Sequence, residues 1–202
     1  LSAHLMFSTG HRTRYGLASP EDRIIEKGDP FMAALGYRGG LTARAGYITE
    51  SLEELPSESQ GYLDELVRPY FDAVVAWYET VGLGVSGGTL MKAVEDVISG
   101  AAFSLFLNPG HLIHLDEWLH SPVYRDSDIS LKTGTLIQMD IIPVPSGELH
   151  TCNAEDTIAV VGDAGREALR EKYPAVWKRI LDRRSFMSNV LGIQLKPEVL
   201  PF

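Results

Sequence analysis

Residues 26–48 read EKGDPFMAALGYRGGLTARAGYI, two apolar runs broken by Gly28-Asp29-Pro30 and by Gly36 with Gly39-Gly40. Two short apolar runs joined by a glycine-rich turn are the pattern of adjacent antiparallel strands, since glycine tolerates the backbone that a tight connection imposes. Upstream, AHLMFSTG (3–10) reads as a further strand ending at Gly10, followed by a polar loop with turn formers at Gly16, Ser19 and Pro20. Downstream, from Gln60, the period changes. Leu63, Leu66, Val67, Tyr70, Val74, Tyr78 and Val81 recur at helical spacing, with acidic residues gathered near the start. Pro69 lies inside that pattern and predicts a kink or a late start. Gly82 and Gly84 end the helix, and Thr89 is the expected cap of a second one carrying Leu90, Val94, Val97 and Ile98.

After Gly100 the pattern returns to strands: AFSLFL (102–107), HLIHL (111–115), TLIQMDIIPV (135–144) and DTIAVV (156–161). The last two alternate as half-buried strands do. A closing helix is predicted from about Ala164 to Leu181, with Leu169, Tyr173, Val176, Trp177 and Ile180 inward and Pro174 as an interruption. Strands, then helices, then strands again predict an α+β domain rather than a doubly wound sheet. A chain of 202 residues is expected to form one domain over 1–202.

Composition narrows the partners. Eighteen Lys and Arg against 27 Asp and Glu give a net charge of −9, and no basic run interleaves with aromatics, so nucleic acid is not an expected partner. Cys152 is the single cysteine and has no partner for an internal disulfide, which makes a reducing, cytoplasmic compartment the expectation. No apolar run approaches the roughly 18–20 residues of a membrane span. The sequence opens on Leu1 rather than methionine, so an N-terminal portion is expected to be missing.

Four segments, in order along the chain, carry a resemblance to the pita-bread hydrolases (creatinase, aminopeptidase P, methionine aminopeptidase). EKGDPFMAALGYRGGLTARAGYI looks like the family's strand pair, in which GD starts one strand and a TRT-like turn closes the next. RPYFDAVVAWYETVGLGVSGGTLMKAVEDVI (68–98) resembles its central helix pair. PGHLIHLDEWLHSP (109–122) is similar to its GHGIG…HE segment. LKTGTLIQMDIIP (131–143) with AEDTIAVVGDAG (154–165) resembles its last two strands. The resemblance implies a curved antiparallel sheet with helices outside and a site in the concave face. It also implies C–N bond hydrolysis of a small peptide, amide or guanidino compound, and commonly a homodimer.

The family's metallopeptidases hold two ions with two aspartates, one histidine and two glutamates. Carried over by position, the histidine falls on His111, one glutamate on Asp140 and the other on Glu155, while Ala34 and Leu41 stand where the aspartates would be. Apolar side chains do not screen a second cation, so the resemblance implies one divalent ion at most (zinc, manganese or cobalt), or none. Creatinase is the metal-free precedent. Its catalytic histidine would fall near Ala18, and the only histidine in that loop is His11. His120 resembles the family's substrate-holding histidine, at a spacing from His111 two residues longer than usual.

Without the resemblance, several of these residues have plainer readings. Asp140 interrupts the apolar run TLIQM-D-IIPV, and a carboxylate facing a core needs a partner, although it could also point to solvent. Glu155 and Asp156 precede a strand, where acidic residues are common. Asp116 and Glu117, beside His114, form a further acidic pair whose ordinary reading is a charged loop. Tyr62, Tyr70, Phe71, Trp77 and Tyr78 sit at helical spacing, as core or dimer contacts do. His150 and Cys152, two apart, would share one face of a strand and could make a Cys–His pair. Two functions therefore stand: a pita-bread hydrolase working with His111, Asp140 and Glu155, or an inactive pseudo-peptidase kept as a binding module.

Overall fold

The computed structural model describes residues 5–15, 18–37, 40–114 and 119–202. Its main sheet is antiparallel throughout. β1 (Met6–Thr9), β2 (Pro30–Tyr37) and β3 (Gly40–Tyr47) form its first half. The register of the pair places Ala34 opposite Ala43 and Gly36 opposite Leu41, with Met6 opposite Ala34 on the outer side. The glycine-rich segment is thus a hairpin, as its two apolar runs predict.

Two helices follow. A single π turn, Leu63–Val67, precedes α1 (Arg68–Thr80), so Pro69 sits in the first turn of α1, where its missing N–H costs nothing. The late start predicted from Pro69 is what occurs. α2 spans Gly87–Ile98, and its cap is Ser86, whose hydroxyl accepts from the Thr89 N–H, three residues ahead of the expected cap. Gly87 has no substitute there: a Cβ would lie 1.7 Å from the Pro122 carbonyl oxygen.

The second half of the sheet comes from β5 (His111–Leu112), β6 (Thr135–Met139), β8 (Asn153–Val160) and β9 (Val199–Pro201). β4 (Phe103–Leu105) pairs separately with β7 (Pro143–Pro145), so TLIQMDIIPV is two strands divided at Asp140 rather than one. β8 ties the halves together. Its start pairs with β3, its body with β6 and its end with β9. The closing helix is two, α3 (Asp163–Lys172) and α4 (Pro174–Asn189), divided at Tyr173 ahead of Pro174 as the proline predicts. Tyr173 is exposed, contrary to its expected inward position, because the break turns it out of both helices.

Alternation along β6 and β8 divides the molecule. Ile137, Met139, Ile158 and Val160 pack with Tyr70, Val74 and Trp77 of α1 and Leu90 and Val94 of α2 in the main core. Gln138, Glu155 and Thr157 point to the opposite face, where Glu155 lines the cleft. On the helix side, Asp156 receives both Arg44 from β3 and Arg183 from α4, clamping the last helix onto the sheet. Among the described residues, no helix is long and apolar enough to cross a membrane.

Candidate metal centre in the concave face

Three elements deliver three side chains to one point. His111 opens β5, Asp140 directly follows β6, and Glu155 lies near the start of β8. One ligand atom from each lies within 4.8 Å of the others, the one such cluster of His, Cys, Asp or Glu among the described residues. His111 Nε2 stands 3.2 Å from Glu155 Oε1 and 3.7 Å from Asp140 Oδ2.

Helix α1 sets two of those strands. Trp77 Nε1 donates to the Pro109 carbonyl at 2.6 Å, pinning the turn that presents His111. Two turns earlier on the helix, the Tyr70 hydroxyl accepts from the Ala154 N–H at 2.7 Å, fixing β8 beside Glu155. Both aromatics are buried core residues, so the packing that stabilises the fold also aims the site.

The protonation pattern follows from the partners. His111 Nδ1 lies 2.8 Å from the Leu112 carbonyl, which only accepts, so Nδ1 carries the proton and Nε2 turns its lone pair toward two carboxylates. A lone pair facing two anionic oxygens calls for a cation or a proton between them. Burial opposes charge on His111. A proton on Nε2, donated to Glu155, is favoured by that bond, by the Leu112 carbonyl and by the charges of Asp140 and Glu155, which together outweigh burial and raise the His111 pKa. Asp140 is pushed up to about 7, first by burial and then by the charge of Glu155, against smaller opposing effects of His111 and Asn153. One nitrogen and two carboxylates, buried and mutually repelling, suit a divalent cation.

Glu155 is also held from behind. Gln138, fully buried, donates through Nε2 to Glu155 Oε1 at 2.9 Å and to the Leu41 carbonyl at 2.6 Å, and its Oε1 accepts from the Thr157 hydroxyl. Asn153 Nδ2 donates to Asp140 Oδ1 at 3.3 Å. The cluster opens into a cleft of about 2090 Å³ whose lining includes Met6, Met32, Ala34, Leu41, Ala43 and Ala45 from the first three strands. Ala43 is the ladder partner of Glu155, so the apolar row Met6–Ala34–Ala43 runs straight into the cluster.

No protein-family model matches the chain, and no curated protein matches it in sequence. Solved structures do. A dipeptidase from Pyrococcus horikoshii OT3 superposes with a TM-score of 0.62 at 23% identity, over 81% of this chain and 45% of that one. The prolidase from Pyrococcus furiosus gives 0.60 at 22% identity, over 80% of this chain and 47% of that one. A methionine aminopeptidase from Rickettsia prowazekii gives 0.55 at 17%, over 79% and 71%. This is the pita-bread fold. The chain spans less than half the length of the first two of these relatives.

Within the pita-bread frame the other candidates fall in different places. His120 and His114 are exposed, and the His120 backbone carbonyl accepts from the Leu112 N–H at 2.7 Å. His11 is exposed at the cleft wall, while Ala18 is buried. Asp116 and Glu117 lie outside the described residues. The Cys152–His150 pair has no support: burial pushes the Cys152 thiol up to about 12, which leaves it neutral and inert in the core. Gln138 and Asn153 are the site residues that pattern reading passes over. The one signal for Gln138 was a polar residue inside TLIQM, and for Asn153 its position two before Glu155 on one strand face.

Proposed function

We propose that the chain hydrolyses C–N bonds of a small peptide or amide with one divalent ion (zinc, manganese or cobalt) held by His111, Asp140 and Glu155. The observation that carries this is the convergence of the His111 Nε2 lone pair and two buried carboxylates within 4.8 Å at the floor of an open cleft. Structural neighbours named dipeptidase, prolidase and methionine aminopeptidase support peptides as the substrate class. A bound divalent ion supplies Lewis acidity and an acidified water. The residues supply the rest: His111 offers a fixed tautomer, Gln138 orients Glu155, and the cleft admits a short peptide.

The test is metal binding followed by turnover. Protein purified without chelators and titrated with Zn²⁺, Mn²⁺ and Co²⁺ is expected to bind one equivalent and to cleave dipeptides, including Xaa-Pro, with both properties lost in His111→Ala. Absence of binding by all three ions overturns the metal reading. Activity that survives EDTA and disappears in Glu155→Gln would instead mark metal-free hydrolysis.

A second reading rests on the two apolar replacements. Ala34 and Leu41 are 6% and 7% exposed, and with Ala43 they make an apolar floor beside the cluster, as a binding module for an uncharged ligand would have. Turnover lost in His111→Ala, with the fold retained, excludes this pseudo-peptidase.

A further inference from the structure

The amide of Asn153 has an oriented, unused oxygen. Nδ2 faces two acceptors, Asp140 Oδ1 at 3.3 Å and the Ile141 carbonyl at 3.2 Å, so the amide has one sensible orientation. That orientation leaves Oδ1 buried and without a hydrogen-bond partner. A buried amide oxygen with no donor is costly, because it has given up water without gaining a partner. Asn153 belongs to the centre: it is two residues before Glu155 on β8, so both side chains leave the same face of the strand, and both line the cleft. No donor among the described residues serves this oxygen.

We infer that Asn153 Oδ1 is a fourth, neutral ligand of the ion proposed above, giving a site of one imidazole nitrogen, two carboxylates and one amide oxygen. This rests on that proposal and extends it. Three hard oxygens and one nitrogen, with the two carboxylates balancing a dication, match Mn²⁺ as readily as Zn²⁺. The amide replaces a water in the coordination shell. It adds no charge, so the apolar flank at Ala34, Leu41 and Ala43 faces a neutral centre.

The experiment uses Mn²⁺ alone, with affinity read by calorimetry and inner-sphere water counted by water-proton relaxation. In Asn153→Ala the affinity is expected to fall about tenfold, as loss of one ligand or its orienting contacts typically does. The count of bound waters is expected to rise by one. Asn153→Ser serves the same purpose should the alanine variant not fold. A fall in affinity with unchanged hydration would reduce Asn153 to a positioning residue acting through Asp140 and overturn the inference. So would unchanged affinity and hydration while the unsubstituted protein binds Mn²⁺. Absence of Mn²⁺, Zn²⁺ and Co²⁺ binding by the unsubstituted protein would overturn the metal centre itself, a result distinct from either.

Discussion

At the scale of single residues, Gln138 shows how a site carboxylate is held in a buried setting. Glu155 Oε1 takes a bond from Gln138 Nε2, and the same nitrogen reaches the Leu41 carbonyl on the far strand. Thr157 reaches Gln138 Oε1 and, at 3.4 Å, the Leu41 carbonyl. The polar atoms behind Glu155 are thereby satisfied without water. Gln138→Met keeps the volume but removes the three bonds made by the Gln138 amide, leaving only the Thr157–Leu41 contact. It is expected to destabilise the fold by about 1–3 kcal/mol, the range for leaving buried polar partners unmet. It should also weaken Mn²⁺ binding about tenfold, because Glu155 loses its orienting donor. Urea midpoints and calorimetric titration read the two effects. An unchanged Mn²⁺ affinity would show that His111 and Asp140 alone orient the centre.

At the scale of elements, the turn before β5 decides where His111 points. Gly110 has φ +138°, a backbone that side-chain-bearing residues rarely adopt, and a Cβ there would lie 2.7 Å from the Gln138 carbonyl oxygen. Gly110→Ala must therefore shift β5 away from β6. The expected cost is about 2–4 kcal/mol, from backbone strain and overpacking together, with ion binding lost alongside. A variant of normal stability and normal Mn²⁺ affinity would contradict this account. The same elements explain what was legible beforehand. The hairpin and α1 could be read because their apolar spacing is driven by one buried face, and His111, Asp140 and Glu155 because short motifs surround them. β9 was not: Val199–Pro201 is three residues, too short for any period, and its place is set by pairing with β8 and packing of Leu200 against Ile180 of α4. α4 runs to Asn189 rather than ending near Leu181, since beyond Ile180 its buried contact is Met187 alone and most of its surface is polar. Gln138 and Asn153 escaped for a different reason. Their roles depend on neighbours brought across the sheet, from β3 and β8 for Gln138 and from the segment after β6 for Asn153, and no local pattern records those.

At the scale of the whole molecule, one contribution to stability, that of His150, should fall on mild acidification. His150 ties the 3₁₀ segment after β1 to the hairpin: its Nδ1 is 3.4 Å from the Thr13 hydroxyl and its ring meets Tyr47 edge-on at 5.6 Å. Burial drives its pKa down to about 4, with Arg14 adding to the effect and the Phe31 carbonyl opposing it. The folded state thus refuses a proton that the unfolded chain accepts near the ordinary histidine value of about 6.5. More protons bind to the unfolded chain across that interval, so stability is fully present above about pH 6.5 and is lost as the pH falls toward 4. Allowing for the partial exposure of the ring, the loss attributable to His150 is about 2 kcal/mol. Urea unfolding at pH 7, 6, 5 and 4.5, repeated for His150→Gln, isolates it, because every other titrating group is common to both proteins. The unsubstituted protein should lose about 2 kcal/mol more than the variant over that range, whereas parallel curves would mean that His150 is protonated in the fold and that burial does not govern it.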